Sequence, residues 1–324
     1  MKLIARIEKD VLAATERFKH CQSPPHSTLL EHNPRLSDLT GMQVYLKHEQ
    51  MQLTGSFKYR GALNCILSLT EQQRKAGVIT ASSGNHGMAC AMAAKAAAVS
   101  LTVYVPENAS PLKLSKIQNL GAKVKQVEGD CLVAETQART EAAKLEKTYI
   151  SPYNDHMVMA GQGTIGVELL NQLPDVDAVF LAVGGGGLIG GVGAHLKATR
   201  PATKIIGCWP KNSAAMAKCL EAGAIIHVDE SPTLSDGTAG NVEDDAITFE
   251  VCQQVIDDTV LVSEEAIRKQ LLQLLKNEQL VVEGAAAVAL AGAIEYAPKL
   301  KDKKVAIILC GRNVAYDTFR SIIT

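Results

Sequence analysis

The alternation of strand-like runs with helical patterns along nearly the whole 324-residue chain constrains the fold most strongly. Strands that alternate with helices predict parallel sheets with helices on both faces. The clearest helical stretches are 89–98, 112–120, 131–146 and 264–276. The predicted strands are residues 42–48, 78–82, 101–106, 123–127, 148–152, 178–184, 204–210 and 305–311.

Length and charge limit the classes of protein to be considered. A chain of 324 residues suits two compact units or one large α/β domain, and a hydrophobic content of 47% allows a sizeable core. The net charge of −1 and the pI of about 6.7 give no electrostatic reason to expect nucleic acid or an anionic membrane as a partner.

The N-terminus and the cysteines indicate a cytoplasmic protein. Residues 1–18 carry acidic side chains in an amphipathic helical pattern, which does not resemble a signal peptide. No apolar run reaches the roughly 18 residues that a membrane span needs. None of the eight cysteines forms a CxxC pair, so reduced thiols in the core are expected.

Three loops that directly follow predicted strands are the candidate ligand sites. They are SSGNHG (82–87), GGGG (184–187) and CGRN (310–313). Ligands of open α/β sheets bind beyond the carboxyl ends of the strands. We therefore expect the three loops to face one crevice.

The glycine run at 184–187 predicts an anion site. Glycines let backbone N–H groups approach a ligand, and the following helix N-terminus adds partial positive charge. Gly185, Gly187 and Gly190 also fit GxGxxG, a dinucleotide-binding pattern that requires an acidic residue at the end of the next strand. That strand ends in Trp209 and a proline, so a compact phosphate is the favoured ligand.

The loop 82–87 predicts a cradle for a carboxylate. It offers two hydroxyls, an amide, an imidazole and several backbone N–H groups at a helix N-terminus. The simpler reading makes Ser82 or Ser83 a helix cap. His86 is expected to act through its backbone N–H more than through its ring. Cys310, at a strand end beside a glycine, can present a weak hydrogen-bonding group to a ligand.

Lys58 is the candidate for covalent chemistry. A lysine chosen at random is usually a solvated charge, but this one lies between Gly55 and Gly61 in a polar lead-in to an apolar helix that Ser56 can cap. A desolvated lysine near a helix N-terminus has a lowered pKa, which suits Schiff-base formation. A phosphate-bearing aldehyde cofactor would connect Lys58 with the glycine run at 184–187.

The motifs GSFKYRGALN, SSGNHG, GGGGLIGG and CGRN, in this order, resemble those of fold type II (tryptophan synthase β-like) pyridoxal-phosphate enzymes. Within them the chain is similar to the serine/threonine dehydratase (ammonia-lyase) and serine racemase group, over nearly its whole length. The resemblance implies two open, twisted, mostly parallel α/β domains with the cofactor in the cleft between them. Residues 1–52 and 154–324 would form the large domain, residues 53–153 would form the small domain, and the protein would be a homodimer.

The resemblance also implies roles around the ring of pyridoxal 5'-phosphate. Lys58 would hold the cofactor as a Schiff base and then remove the α-proton of the substrate. Phe57 would pack beside the pyridine ring, and Asn85 would bond its hydroxyl oxygen. Glu283 would lie near the ring, and Cys310 would face the pyridine nitrogen.

The remaining matching positions would bind the phosphate and the substrate. The phosphate would be bound through the backbone N–H groups of Gly184, Gly185, Gly186, Gly187 and Leu188. The substrate carboxylate would be held by Ser82, Asn85 and His86. Ser83 would stand on the opposite face of the substrate from the lysine, where racemases of this group carry a serine.

The implied reaction is α,β-elimination of a β-hydroxy L-amino acid to a 2-oxo acid and ammonia. A neutral thiol at Cys310 leaves the pyridine nitrogen unprotonated, which favours prompt elimination. Serine and threonine are the default substrates. Phenylserine, 3-hydroxyaspartate and a hydroxyectoine-derived amino acid remain open alternatives.

The sequence leaves three alternative functions, each of which is disfavoured. A serine racemase on the same scaffold is permitted by Ser83. It is disfavoured because the carboxylates of metal-dependent members are replaced by Trp209 and the alanines at 214 and 215, so no metal site is expected. A non-catalytic binding protein is disfavoured by the intact Lys58. A nicotinamide oxidoreductase is disfavoured because the strand that follows the glycine run does not end in the acidic residue that the GxGxxG pattern requires.

Overall fold

The computed structural model describes residues 2–323 and has the α/β architecture that the sequence predicts. Within these residues ten strands form two sheets. The strands are β1 (Leu30–His32), β2 (Gln43–Lys47), β3 (Val78–Ala81), β4 (Leu101–Pro106), β5 (Lys123–Val127), β6 (Thr148–Tyr149), β7 (Ala178–Ala182), β8 (Lys204–Pro210), β9 (Asp258–Val262) and β10 (Lys304–Ile308).

The described residues also form fourteen α-helices. They are α1 (Lys2–Lys19), α2 (Pro34–Thr40), α3 (Lys58–Ser68), α4 (Glu71–Ala76), α5 (Asn85–Ala96), α6 (Pro111–Asn119), α7 (Cys131–Lys144), α8 (His156–Gln172), α9 (Gly187–Thr199), α10 (Ala215–Ala222), α11 (Ile247–Val255), α12 (Glu264–Glu278), α13 (Gly284–Tyr296) and α14 (Tyr316–Ile323). Short 3-10 turns lie at Glu49–Met51, Asp236–Thr238 and Ala297–Lys299.

The two sheets are almost entirely parallel. The larger has the order β1-β2-β10-β7-β8-β9, and the smaller has the order β5-β4-β3-β6. Only β1 runs antiparallel, against β2. Strands of a parallel sheet are covered on both faces, and β7 is accordingly buried along its whole length. This arrangement places the carboxyl ends of β3, β7 and β10 where the three candidate loops begin.

The buried side chains of each helix follow the spacing of its apolar residues. In α1 the buried side chains are Ile7, Val11, Ala14 and Phe18, one stripe at helical spacing, as the amphipathic pattern predicts. Helix α13 is buried on nearly all sides, which its run of alanines allows because small side chains let neighbouring elements approach closely. None of the helices in residues 2–323 is both long and apolar enough to cross a bilayer.

The structure corrects several element boundaries. Strands β1 and β9 are absent from the sequence prediction, because three residues in one case and a mixed polar run in the other give weak patterns. The strand predicted over 148–152 ends at Tyr149, ahead of Pro152, which cannot donate to a ladder. The strand predicted over 305–311 ends at Ile308. Beyond it the backbone bonds to the loop that precedes Lys58.

The cysteines agree with the predicted core thiols at most positions. All eight are free, and six of them are buried. Cys21 is partly buried and Cys131 is exposed.

Candidate active site

The loop that carries Lys58 is held by the loop at 310–313. The Phe57 N–H donates to the Cys310 carbonyl at 3.0 Å, and the Arg312 N–H donates to the Gly55 carbonyl at 2.9 Å. Ser56 and Gly311 form an isolated antiparallel bridge between these bonds. The lysine loop therefore has a fixed backbone at the carboxyl end of β10, and Lys58 is the first residue of α3.

The Lys58 amine faces the interior. Its Nζ donates to the Pro152 carbonyl at 2.8 Å and lies 5.2 Å from the centre of the Phe57 ring. Part of the side-chain surface stays accessible, but the amine itself lies deep, and burial lowers the pKa of Lys58 to about 8. Nearby Cys310, Cys90 and Glu283 oppose that shift. A larger fraction of the amine is thus neutral at neutral pH than for a solvated lysine.

The predicted helix cap at Ser56 is wrong. Helix α3 has Phe57 at its N-cap position with no side-chain hydrogen bond. The Ser56 hydroxyl is buried and has no hydrogen-bond partner among the described residues. The bridge to Gly311 fixes the backbone of Ser56 instead.

The glycine loop at 184–187 is closely packed by residues of other elements. A Cβ at Gly185 would lie 2.5 Å from the Tyr153 ring, so only glycine fits there. Gly186 has φ +86° and caps α9 in the left-handed region. The carbonyl of Gly185 accepts a hydrogen bond of 2.6 Å from the Thr248 hydroxyl. The N–H groups of the first turn of α9 lack partners within the helix, so they suit an anion.

The loop at 82–87 does not use a serine as a helix cap. The N-cap of α5 is Gly84, and it makes no side-chain cap. The Ser82 hydroxyl accepts a hydrogen bond of 3.1 Å from the Gly84 N–H. The Ser83 hydroxyl makes no hydrogen bond to any described residue. The loop thus presents a free hydroxyl beside a helix N-terminus.

The His86 ring is occupied by structural contacts. The side chain is buried, and its Nε2 lies 3.1 Å from the Ile150 carbonyl oxygen and 3.4 Å from the Cys90 Sγ. Burial lowers the pKa of His86 to about 3, so the ring is neutral. These contacts place the ring between the residue that follows β6 and helix α5, so the ring is engaged in structural contacts.

Glu283 links the loops at 82–87 and 310–313. The side chain is buried, and the Asn85 Nδ2 donates to its two carboxylate oxygens at 3.0 and 2.8 Å. The Cys310 Sγ lies 3.9 Å from the Glu283 Oε1. Burial raises the pKa of Glu283, and the bonds from Asn85 oppose this shift. Burial also raises the pKa of Cys310 well above its usual value, so its thiol is neutral.

Sequence analysis missed three contacts that shape this region. They are the Pro152 carbonyl that binds Lys58, the Tyr153 ring over the glycine loop, and the Asn313 side chain, which donates to the Thr54 carbonyl and the Asn85 Oδ1. Asn313 is the last residue of the CGRN motif at 310–313, so the sequence contains a signal for this position. No sequence signal marked Pro152 or Tyr153, because their contacts come from the junction that follows β6.

Leu188 and Trp209 both lie in the core of the larger sheet. Leu188 is the second residue of α9 and is buried. Trp209 is fully buried, and its indole Nε1 has no hydrogen-bond partner among residues 2–323. No three His, Cys, Asp or Glu side chains in the described part of the chain are grouped so that they could hold a metal ion.

Comparison with known proteins gives consistent results. The sequence model of the family described as "Pyridoxal-phosphate dependent enzyme" matches residues 24–311. An L-threonine ammonia-lyase of Thermotoga maritima is 41% identical over 302 residues, which are 92% of this chain and 74% of that protein.

Two solved structures share the fold. The processed form of threonine deaminase isoform 2 from Solanum lycopersicum has a TM-score of 0.94 and 33% identity, over 100% of this chain and 88% of that one. Maize serine racemase has a TM-score of 0.90 and 29% identity, over 97% of this chain and 96% of that one.

Proposed function

Because this chain belongs to the pyridoxal-phosphate dependent enzymes, we propose that it is an ammonia-lyase (dehydratase) converting a β-hydroxy L-amino acid to a 2-oxo acid and ammonia. Its relatives include a threonine ammonia-lyase at 41% identity. The buried Lys58 amine, whose pKa falls to about 8, is the observation that carries the proposal. Serine and threonine are the first substrates to test.

The residues of the site fit pyridoxal 5'-phosphate. The glycine loop at 184–187 has no room for side chains against Tyr153 and Thr238, and its N–H groups and that of Leu188 would bind the phosphate. Lys58 would bind the aldehyde carbon, and Phe57 would pack against the ring. Asn85, Glu283 and Cys310 form the connected polar set that would face the ring oxygen and nitrogen.

When bound, the cofactor supplies an acceptor for the electron pair left at the substrate's Cα. The loop at 82–87 would bind the substrate carboxylate with its N–H groups, among them those of Asn85 and His86, and with the Ser82 side chain. The Lys58 Nζ, in its neutral form, would then take the α-proton. The β-hydroxyl would leave as water with a proton that balances the one taken from Cα by Lys58, and the released enamine, with a second water, hydrolyses to the 2-oxo acid and ammonia.

The Cys310 thiol supports elimination over other outcomes. Burial keeps this thiol neutral, so it cannot protonate the pyridine nitrogen as an acidic partner would. An unprotonated ring accepts the electron pair less strongly, and that favours prompt loss of the β-hydroxyl.

A serine racemase is the second candidate, because the Ser83 hydroxyl is free to exchange a proton and maize serine racemase shares the fold. Chiral analysis of the recovered substrate separates the two. A racemase returns the D-enantiomer faster than it forms 2-oxo acid, whereas an ammonia-lyase returns unchanged L-substrate.

The proposal also includes the domain division, the oligomeric state and the location of the protein. We propose a small domain of residues 53–153 and a large domain of residues 1–52 and 154–324, with the cofactor between them. The four strands of the smaller sheet all lie between residues 78 and 149, which supports this division. A cytoplasmic homodimer is likewise proposed.

Substitution of Lys58 tests the proposal. The purified wild type is expected to show a visible absorption band of the bound cofactor, and to release ammonia from serine, threonine, phenylserine or 3-hydroxyaspartate in both Mg²⁺ and EDTA. Lys58→Ala should lose the band and at least about a thousandfold in kcat. Lys75→Ala, at an exposed lysine on α4, is the matched control and should retain both. A wild type without the band would refute the proposal.

A further inference from the structure

The Asn313 side chain joins three segments of the site. Its Nδ2 donates to the Thr54 carbonyl at 2.9 Å and to the Asn85 Oδ1 at 2.7 Å. Its backbone also lowers the pKa of the Glu283 carboxyl, against the effect of burial. Asn313 packs against Gly55, whose φ of +75° keeps the backbone close. These contacts link the lysine loop to the first residue of α5.

The Thr54 carbonyl determines which way the Asn313 amide faces. A carbonyl oxygen can only accept, so the Asn313 NH₂ group must face it. The second hydrogen of the same NH₂ group then faces Asn85. Asn85 must in turn present its oxygen to Asn313 and its NH₂ group to Glu283.

Glu283 alone does not fix the Asn85 amide. An ionised carboxylate accepts from the Asn85 NH₂, but a protonated one can donate to the Asn85 oxygen, and this carboxyl is buried. The Thr54 carbonyl, in contrast, can only accept a hydrogen bond. The orientation of the Asn85 amide therefore rests on Asn313.

We propose that Asn313 is a positioning residue that holds the Asn85 amide with its NH₂ group toward Glu283 and the ring oxygen of pyridoxal 5'-phosphate. This inference rests on the proposed function. The two oxygens of Glu283, at 3.0 and 2.8 Å from the Asn85 Nδ2, would share one hydrogen of this NH₂ group, and the other hydrogen would donate to the cofactor. If the Asn85 amide were flipped, its oxygen would face the oxygen atoms of Glu283 and of the cofactor ring. The hydrogen-bond donor to the cofactor would then be lost.

Asn313→Asp is the test variant because it keeps the shape and exchanges the NH₂ group for an oxygen. In the full-length holoenzyme this change should raise the cofactor dissociation constant, measured by equilibrium dialysis, about tenfold. It should also change the position or pH dependence of the visible absorption band. Asn277→Asp, at an exposed position on α12, adds the same charge and should alter neither quantity.

A double-substitution cycle separates positioning from general damage. Asn85→Ala removes the group through which Asn313 is proposed to act. In that background Asn313→Asp should change the dissociation constant by less than about twofold. The proposal would be overturned if the two substitutions raised the cofactor dissociation constant by independent factors that multiply. It would also be overturned if the Asn313→Asp enzyme kept the wild-type absorption band and the wild-type affinity for the cofactor.

A second variant keeps the test decisive. If Asn313→Asp folds poorly by circular dichroism and thermal unfolding, Asn313→Ala removes the same donor without adding charge and carries the same expectations. A visible band in the wild type that is unaffected by either variant refutes this inference alone. A wild type without the band refutes the proposed function as well.

Discussion

At the scale of single residues, the environment of Lys58 determines its chemistry. The same side chain in solvent has a pKa near 10.5, and burial lowers the pKa of Lys58 to about 8. At pH 7 this shift raises the neutral fraction from about 0.03% to about 10%. The neutral amine is the form that attacks an aldehyde or accepts a proton, so desolvation would prepare Lys58 for both of the roles that we propose for it.

This shift predicts how the cofactor-free enzyme takes up pyridoxal 5'-phosphate. The rate constant for covalent binding should rise about tenfold per pH unit between roughly pH 6 and 7.5, because the neutral fraction rises as protons leave, and it should level off above about pH 8. Stopped-flow absorbance over a pH series measures it. A rate constant still rising at pH 10 would show that Lys58 has the pKa of a solvated lysine.

At the scale of elements, α3 is anchored by a buried ionic cluster, which we define as Lys47, Glu49, Arg60 and Glu168. Arg60 pairs with Glu49 at 2.8 Å and with Glu168 at 2.7 Å, and Lys47 pairs with Glu168 at 2.8 Å. The cluster has two positive and two negative groups, so it is balanced as a set. Because Arg60 lies two residues after Lys58, the cluster fixes the helix turn that carries the lysine.

The cluster predicts a large effect of removing one charge. Glu49→Gln should lower the free energy of unfolding by about 3–5 kcal/mol, because it leaves the two buried cations of the cluster with Glu168 as its one remaining negative charge. Urea unfolding of the purified variant measures the loss. Glu71→Gln breaks an exposed pair with Lys75 on α4 and should cost less than about 1 kcal/mol. Equal losses in the two variants would contradict the account.

At the scale of the whole molecule, one ion pair connects the elements around the two sheets. Arg139 lies on α7, which packs on the smaller sheet, and its Nη2 is 2.7 Å from the Glu243 Oε2. Glu243 precedes α11 and also accepts from the Asn154 amide at 2.9 Å. Its backbone N–H donates to the Tyr153 hydroxyl at 3.0 Å. The glycine loop is thereby joined, through Tyr153, to a helix of the other sheet.

Breaking this link should weaken substrate binding more than turnover. Arg139→Gln is expected to raise KM about two- to fivefold with kcat changed less than twofold, since a partly exposed pair contributes no more than about 1 kcal/mol. In 0.5 M NaCl the wild type should approach the variant, because salt screens the pair. Lys218→Gln, in an exposed pair on α10, is the control. An unchanged KM for Arg139→Gln would refute the link.

Much of the fold could be predicted because its signals are local. Strand and helix periodicity gave the α/β class, and strand-to-loop junctions gave the three loops, with errors only at β1, β9 and several ends. Glycine at 186 is required by the local backbone conformation, with φ +86°, so this position is visible in the sequence. The cap expected at Ser56 failed because a long-range bridge to Gly311 overrode the local preference.

The sequence by itself determined the class of fold, and it marked Lys58 and the loops that we propose hold a phosphate and a carboxylate, since these signals depend on short-range patterns. Only the tertiary structure decided the state of each polar group. Burial of Lys58 and His86, the Tyr153 ring over the glycine loop, and the Asn313 contact with Asn85 across 228 positions all arise where distant segments meet. Desolvation and hydrogen-bond partners exist only after those segments pack together.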